Sequence, residues 1–559
     1  MLVSDYIAQY LAAQGITDVF GIPGGVVLDL LYAFKRCNGI EPHLCYHEQA
    51  AGFAACGYSQ ASGKLGVAYA TRGPGFTNLI SAIADTYSDS VPVIFITGHA
   101  AKSLTPNMRV VADQELDTCD IVKSITKYAV RIDSVEQFLD EFKKAVSMAQ
   151  VGRRGPVLLD VASYIWKAEV GEDLSVAECG VSEEFCLEDA ETIVKMIMEA
   201  KRPVFLIGDG IHQTAQEKQF AALASKIKIP IISSRYTHDI VGDGKRYFGY
   251  IGSHGIRTAN FVLSKADLVI SLGNRLSFPL ASESFAPITE KATFIRIETD
   301  DGELERNLPR SKVYRTSLNA FFSVLEKSNV DCGRHKTWNN TCAEIRNSLS
   351  DEDLNSAVCR IESLISTMPE ESIIVADVGN NEFWVSRACV HTRTNKRTLY
   401  SKSFGSLGCA LGKAVGAYYA TGYPIVCCVG DQGFQLNIQE LQTISQNQIP
   451  VGVVLLNNHS SGMIKDRQTL LFKGDYLHTT LYSGYGAPNF KRIAEGYGLP
   501  YTRISMRDND VINKMELPCV IEIEIDENIG LSPYLPKGNH IQNMAPILEP
   551  DKYNYLNGL

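Results

Sequence analysis

The chain alternates short apolar runs with longer stretches of helical periodicity, and it does so in three blocks. Runs such as VPVIFIT, RPVFLIG, ADLVISLG and PVGVVLLNN are almost continuously hydrophobic. Strands buried on both faces need that pattern, and helices between them supply the covering layers. The sequence therefore predicts an α/β protein built from doubly wound parallel sheets.

Within the first block the strand candidates are Asp18–Gly21, Gly66–Thr71, Val91–Thr97 and Pro156–Asp160. A charged stretch from Lys167 to Asp189 reads as a linker. The second block has Arg202–Gly210, Pro230–Ser234, Ala266–Gly273 and Ala292–Glu298, and a polar segment from Glu326 to about Asp353 closes it. The third has Ser372–Gly379, Tyr423–Asp431, Pro450–Asn458 and Leu517–Asp526. These blocks imply domains over 1–170, 185–345 and 355–530, followed by an irregular tail over 531–559. A length of 559 residues suits three domains of roughly 150–200 residues each. Blocks one and three look alike in kind but share no repeat period.

A net charge of −10 argues against a nucleic-acid partner, because no basic stripe is present to displace counterions from phosphates. Fourteen cysteines contain no CxxC spacing, and Cys427–Cys428 lies inside an apolar run. Reduced, buried thiols of a cytoplasmic protein are expected rather than disulfides or zinc. The amphipathic N-terminus lacks a signal peptide's basic and apolar regions, and no run approaches the length of a membrane span.

The most specific chemical signal is GDQGF (Gly430–Phe434) followed by LNN (Leu456–Asn458). Each ends an apolar strand, and open α/β sheets place ligands at those carboxyl ends. Asp431 and Asn458 lie 27 residues apart, room for a helix returning the chain to a neighbouring strand. One carboxylate and one amide oxygen suit Mg²⁺, with phosphate oxygens and water completing its shell. The backbone N–H groups of Gln432 and Gly433 would face a diphosphate. Taken singly, Asp431 is also a plain N-cap and the Asn pair a plain turn.

In the first block CYHEQAAGFAACG places Glu48 at a helix start among small residues. HEQAA lacks the second His of a zinc protease, and a first-turn glutamate is favoured by the helix dipole alone. GIPGG (Gly21–Gly25) and TRGPG (Thr71–Gly75) are glycine-rich turns after strands, fit for close backbone approach to a ligand or for tight connection.

GDQGF…LNN resembles the thiamine diphosphate motif, and from FGIPGG to about Asp526 the chain resembles the acetolactate synthase branch of that enzyme family. The resemblance implies pyrimidine-binding, central and diphosphate-binding domains, with the cofactor site assembled between two subunits of a homodimer or homotetramer. It implies Asp431 and Asn458 as side-chain ligands of Mg²⁺, with the Ser460 carbonyl as a third. Gly462–Met463 would hold the aminopyrimidine, and Leu407, two residues after Gly405 in SFGSLGCALG, would lie beneath the cofactor. Asp377–Asn381 (DVGNN) matches a diphosphate-contacting turn, although Asn380 and Asn381 stand where related synthases show Gln-His. Glu48 matches the glutamate that hydrogen-bonds the pyrimidine N1′ and so performs acid–base work through the cofactor. Pro23, Gly24, Gly25 and Gly75 match turns lining the site, and Gln114 and Lys127 match positions near substrate. GSHGIRTAN (Gly252–Asn260) and SLGNR (Ser271–Arg275) resemble flavin-contacting segments, which implies a structural FAD held by His254, Gly255 and Arg275. The alternative, that these segments are retained only as fold elements, stays open here.

Three departures surround the expected acceptor pocket. Arg467 replaces a Trp, Asp113 replaces a Phe, and Pro279 stands where an Arg grips the second keto acid. Losing that guanidinium removes a bidentate carboxylate partner. The expected activity is decarboxylation of pyruvate or a close relative and transfer of the fragment to a second carbonyl compound, such as a nucleotide-linked keto sugar. A pyruvate oxidase-type flavoenzyme and a simple decarboxylase are the enzymatic alternatives. A non-catalytic subunit is disfavoured by the joint retention of Glu48, Asp431 and Asn458.

Overall fold

The computed structural model describes residues 1–100, 113–175, 185–241, 244–277, 285–305, 308–327, 333–350, 352–504 and 516–559. Three six-stranded sheets follow one another along the chain, and every strand pairing within them is parallel. The first holds β1 (Asp18–Gly21), β2 (Glu41–Leu44), β3 (Gly66–Tyr69), β4 (Val93–His99), β5 (Tyr128–Ile132) and β6 (Val157–Ala162), in the order β2-β1-β3-β4-β6-β5. The second holds β7 (Pro203–Ile207), β8 (Ile231–Ser233), β9 (Tyr247–Tyr250), β10 (Leu268–Leu272), β11 (Thr293–Glu298) and β12 (Ser311–Arg315), in the order β12-β11-β10-β7-β8-β9. The third holds β13 (Ile373–Ala376), β14 (Thr398–Leu399), β15 (Ile425–Gly430), β16 (Val451–Asn457), β17 (Tyr501–Ile504) and β18 (Cys519–Glu524), in the order β14-β13-β15-β16-β18-β17.

Numbered from their own first strands, the first and third sheets have the same order. The likeness suspected from sequence is thus one of topology, with no repeat in residues. The helix Glu48–Ser62 follows β2 and the helix Ala410–Thr421 follows β14, so they hold equivalent places. They pack directly on each other through small residues. A Cβ on Gly57 would fall 2.2 Å from the Lys413 carbonyl oxygen, and one on Gly416 only 1.8 Å from that of Ala54. Beside this crossing, Lys413 and Asp85 form a fully buried ion pair at 2.8 Å. Both charges are removed from water, so each needs the other.

Three expectations are corrected. The helix Leu187–Glu199 starts inside the stretch read as a linker, burying Ala190, Ile193 and Ile197. The polar closing segment contains the helix Lys336–Ser348, which buries Trp338, Cys342 and Ile345 on one stripe. Its polarity misled because only that narrow face is apolar. The tail is not irregular throughout: it ends in the helix Pro550–Gly558, which buries Leu556. That helix packs with Phe261, Ile345, Leu349 and Leu548, while Arg257 donates to the carbonyls of Met544 and Pro546. The tail thereby docks on the central domain. The described cysteines are free thiols. Among the described residues no helix is long and apolar enough to cross a membrane.

Candidate active site

In the third sheet the chain winds outward in both directions from the neighbouring strands β13 and β15, so the loops leaving them part and open a crevice. A cavity of about 160 Å³ occupies it, and all its lining residues lie between 378 and 464. Asn380 and Asn381 reach it from the end of β13, Asp431, Gln432 and Gly433 from β15, and Asn458 and Ser460 from β16. Leu407 and Met463 complete the wall. Gly405, with φ of 72°, turns the chain two residues before Leu407 and lies outside the lining.

Asp431 opens the helix Asp431–Leu436, and its Oδ1 accepts from the Gln432 N–H at 3.0 Å. Its Oδ2 is buried and neighbours the Tyr485 hydroxyl without a hydrogen bond of ordinary geometry, while Ser460 Oγ and Asn380 Oδ1 are buried without partners. Burial pushes the Asp431 carboxyl up to about 6. The adjacent asparagines divide their work. Asn457 turns away, donating to Glu522 at 2.8 Å and accepting from the His459 N–H at 3.0 Å, and Asn458 faces the cavity.

Two packing constraints shape this crevice. A Cβ on Gly433 would lie 2.1 Å from Asp377 Oδ2, so only glycine fits. Asp377, fully buried, accepts from the N–H groups of Val378 at 2.9 Å and of Gly408 at 2.9 and 3.0 Å. It therefore fixes the turn that carries Leu407. Burial pushes its carboxyl up to about 7. The two amides that replace Gln-His serve the frame as well: Asn381 donates to the Asp377 carbonyl at 2.8 Å and Asn380 to Asp466 at 3.0 Å.

A buried carboxylate, an amide side chain and an orphaned serine at one strand-end crevice fit a hard cation. The glycine turn beside them carries no Cβ at Gly433 and so lets the backbone come close to a diphosphate, with the Gln432 N–H given to Asp431 Oδ1. Among the described residues no group of three or more His, Cys, Asp or Glu side chains is arranged so that it could hold a metal ion. A metal here would thus draw on amide, carbonyl and phosphate oxygens.

Glu48 is the first residue of the helix Glu48–Ser62, and the helix is capped by His47 Nδ1, which accepts from the Gln49 N–H at 3.1 Å. Asn78 donates to Glu48 Oε2 at 2.9 Å, and Oε1 lies 3.3 Å from where a Cβ on Gly75 would stand. The two glycine-rich turns meet here: a Cβ on Gly24, between Pro23 and Gly25, would strike the Thr71 side chain at 2.3 Å. Gln114, with φ of 56°, packs against Gly73 of the second turn. The structure thus gathers Glu48, Gly24, Gly75 and Gln114. It does not bring Lys127 to them, for its amino group donates to the Val151 carbonyl at 2.6 Å and burial lowers it to about 8. Nor, within one chain, does the Glu48 group line the Asp431 cavity.

Asp113 and Arg467 are both exposed, and Pro279 lies outside the described residues. Asn78 and the ion pair of Arg72 with the buried Glu115, at 3.1 Å, were not foreseen. Isolated polar residues, one on a helix and two on loops, carry no pattern by which to find them.

A second cavity, of about 620 Å³, opens where β7 and β10 part in the second sheet. Gly208, Asp209, Gly210, His254, Gly255 and Arg275 lie on its wall. Arg275 donates to the Ser88 carbonyl at 2.9 Å and to the Ser403 hydroxyl, joining all three domains at the rim. His254 stacks edgewise on Phe383 at 4.9 Å, and burial with Arg387 and Arg235 lowers its ring to about 4. Its Nδ1 and Asp209 Oδ1 are buried without partners, an arrangement that fits a polar ligand such as a dinucleotide.

Comparison with known proteins agrees with this layout. Residues 1–121 match the thiamine pyrophosphate enzyme N-terminal TPP binding domain, 190–320 the central domain and 377–517 the C-terminal TPP binding domain. The chain is 31% identical over 551 residues to the acetolactate synthase isozyme 2 large subunit of Escherichia coli, covering 96% of this chain and 97% of that one. It is 30% identical to the isozyme 1 large subunit of the same organism, covering 96% of each. It is also 30% identical to the acetolactate synthase large subunit of Lactococcus lactis, covering 97% of this chain and 95% of that one. These relatives are synthases, so the oxidase alternative is not favoured. The chain belongs to the thiamine pyrophosphate enzyme family, as an acetolactate synthase-like member.

Proposed function

We propose that this carboligase decarboxylates pyruvate or a close relative and transfers the fragment to a carbonyl compound other than a second keto acid. The observation that carries the site assignment is the buried Asp431 carboxyl lining one cavity with Asn458 and Ser460 at the switch point of the third sheet. Asp431, Asn458 and the Ser460 carbonyl would hold Mg²⁺, and the Gln432–Gly433 turn would present the Gly433 N–H to the diphosphate, while the Gln432 N–H steadies Asp431. Asn380 and Asn381 flank the diphosphate, and Leu407 and Met463 bound the space for the rings. Bound thiamine diphosphate supplies the carbon nucleophile and electron sink for breaking and making carbon–carbon bonds.

Glu48 is the acid–base group of this reading. Asn78 pins Oε2 and leaves Oε1, beside Gly75, to hold and return a proton. Because the cavity around Asp431 is lined only by residues 378–464, a second copy of the chain is needed to bring Glu48 to it. An exposed apolar face supports that pairing. The helix Gly462–Phe472 buries only Lys465, while Leu470 is 67% exposed, Phe472 63% and the nearby Tyr482 96%. Surface of that kind calls for a partner. The domains over 1–170, 185–345 and 355–530 then serve as pyrimidine-binding, central and diphosphate-binding units. A structural FAD in the central cavity is part of the proposal, supported by the orphaned Asp209 Oδ1 and His254 Nδ1.

The acceptor assignment rests on Asp113 and Arg467, polar and exposed where a Phe and a Trp were expected, and Gln114 completes the substrate side of the reading, from which Lys127 is dropped because its amino group is held by the Val151 carbonyl. The test is incubation of the purified protein with pyruvate, Mg²⁺ and thiamine diphosphate, alone and with keto sugars linked to nucleotides. Products are identified by mass. A branched sugar adduct is expected, and acetolactate formed from pyruvate alone at a rate matching the best acceptor defeats the assignment.

A further inference from the structure

Glu440 begins the helix Glu440–Gln446 in the third domain, nine residues after Asp431, and is fully buried. Its Oε1 accepts from two consecutive backbone N–H groups of the first domain, Tyr46 at 2.9 Å and His47 at 3.1 Å. Its Oε2 accepts from the Thr443 hydroxyl at 2.7 Å. The two peptide groups it holds come directly before Glu48. A second contact reinforces the first: Asn437 donates to Gln49 Oε1 at 3.0 Å and to the Gly408 carbonyl at 2.8 Å. Of the residues before Glu48, Leu44 is 44% and Tyr46 43% exposed, while Cys45 between them is buried in the core. Side-chain burial therefore anchors the chain at Cys45, and the carboxylate fixes the two peptide groups between that anchor and Glu48.

We propose that Glu440 is a positioning residue for Glu48, fixing the Tyr46–His47 backbone from the third domain so that the Glu48 carboxyl stands where it must meet the cofactor. This rests on the reading of Glu48 given above. The segment that carries Asp431 thereby also steadies the Glu48 of the same chain. A carboxylate oxygen receiving two successive N–H groups fixes both the position and the direction of a loop. Displacing a reacting group by about 1 Å costs on the order of a hundredfold in rate.

The experiment uses the full-length protein with E440A and E440Q. The glutamine keeps an oxygen for both N–H groups and turns its nitrogen to Thr443. In cofactor-free protein, amide hydrogen exchange across Leu44–Gln49 is expected to speed up at least about tenfold in E440A and to stay near wild type in E440Q. In the loaded enzyme without keto acid, loss of deuterium from C2 of thiamine diphosphate is expected to slow at least about tenfold in E440A, with recovery in E440Q. The KM for pyruvate should stay unchanged in both. Wild-type C2 exchange or wild-type amide protection in E440A overturns the proposal, as does an E440Q that falls as far as E440A. If E440A does not fold, E440D decides, since it withdraws the oxygen by one methylene, and wild-type C2 exchange there overturns the proposal. E48Q separates the two readings. If E48Q exchanges C2 at the wild-type rate, the role given to Glu48 itself fails; if E48Q is slow and E440A is not, only the role of Glu440 fails.

Discussion

Gly416 crosses Ala54 so closely that a Cβ on Gly416 would lie 1.8 Å from the Ala54 carbonyl oxygen. That approach joins the first domain to the third along equivalent helices, and it puts the Glu48 helix and the segment carrying Asp431 in one rigid frame.

Substituting Gly416 by Val cannot be absorbed by a side-chain shift, because the atom struck belongs to the backbone. The expected cost is about 1–3 kcal/mol, from the general cost of overpacking. It is read as a lowered urea midpoint and a lower soluble yield. A G416V protein with the wild-type midpoint contradicts the packing described.

The Asp431 crevice should govern cofactor binding through its cation. D431N and N458A are each expected to weaken binding of thiamine diphosphate with Mg²⁺ by at least about 100-fold, since even outer-shell metal partners contribute tenfold to 100-fold. Titration calorimetry checks this. Unchanged affinity in both variants removes the proposed metal site.

Glu48 and Asn78 should separate acid–base work from binding. E48Q is expected to slow turnover by about 100-fold to 10,000-fold, the range of a lost general acid–base group, with cofactor affinity little changed. N78A, which frees only Oε2, should lose about tenfold. Steady-state kinetics alongside calorimetry checks both, and a variant that loses affinity and rate in equal measure speaks for a structural role.

Glu440 predicts a pH dependence of stability. Burial pushes its carboxyl up to about 7, from an ordinary value of 4.5. A carboxyl that binds its proton more tightly when folded stabilises the fold at low pH. That contribution is complete below about 4.5 and is lost as pH rises through about 7. Cofactor-free wild type should therefore lose up to about 3 kcal/mol relative to E440Q across this window. Urea midpoints of both proteins measured below and above the window check it, and parallel curves refute it.

Much of the fold and of one half of the site was legible in the residues. In each sheet the four central strands announced themselves as mainly apolar runs, and in each the two edge strands did not. The edges are β2 and β5, β9 and β12, and β14 and β17. The cause is physical: β2, β5, β12 and β17 are largely half-buried or exposed, β14 has only two residues, and β9 is the aromatic run YFGY with a glycine inside it. None shows the continuous hydrophobicity that burial on both faces demands. GDQGF and LNN were legible for a related reason, since the chemistry sits where a central strand ends and the pattern stops.

The amino-acid order by itself determined the α/β class, the central strands, the strand ends that carry Asp431 and Asn458, and the helix start that carries Glu48. All of these depend on local patterns of polarity and glycine within a few residues. Only the tertiary structure decided that Asn458 rather than Asn457 faces the cavity, that Lys127 stands apart from Glu48, and that Glu440 grips the backbone just before it. Those outcomes depend on groups from different elements meeting at hydrogen-bond distance, as Lys127 and Val151, Asn457 and Glu522, and most distantly Tyr46 and Glu440 do. Their partners are chosen by how whole sheets and helices dock, and no local pattern records that choice.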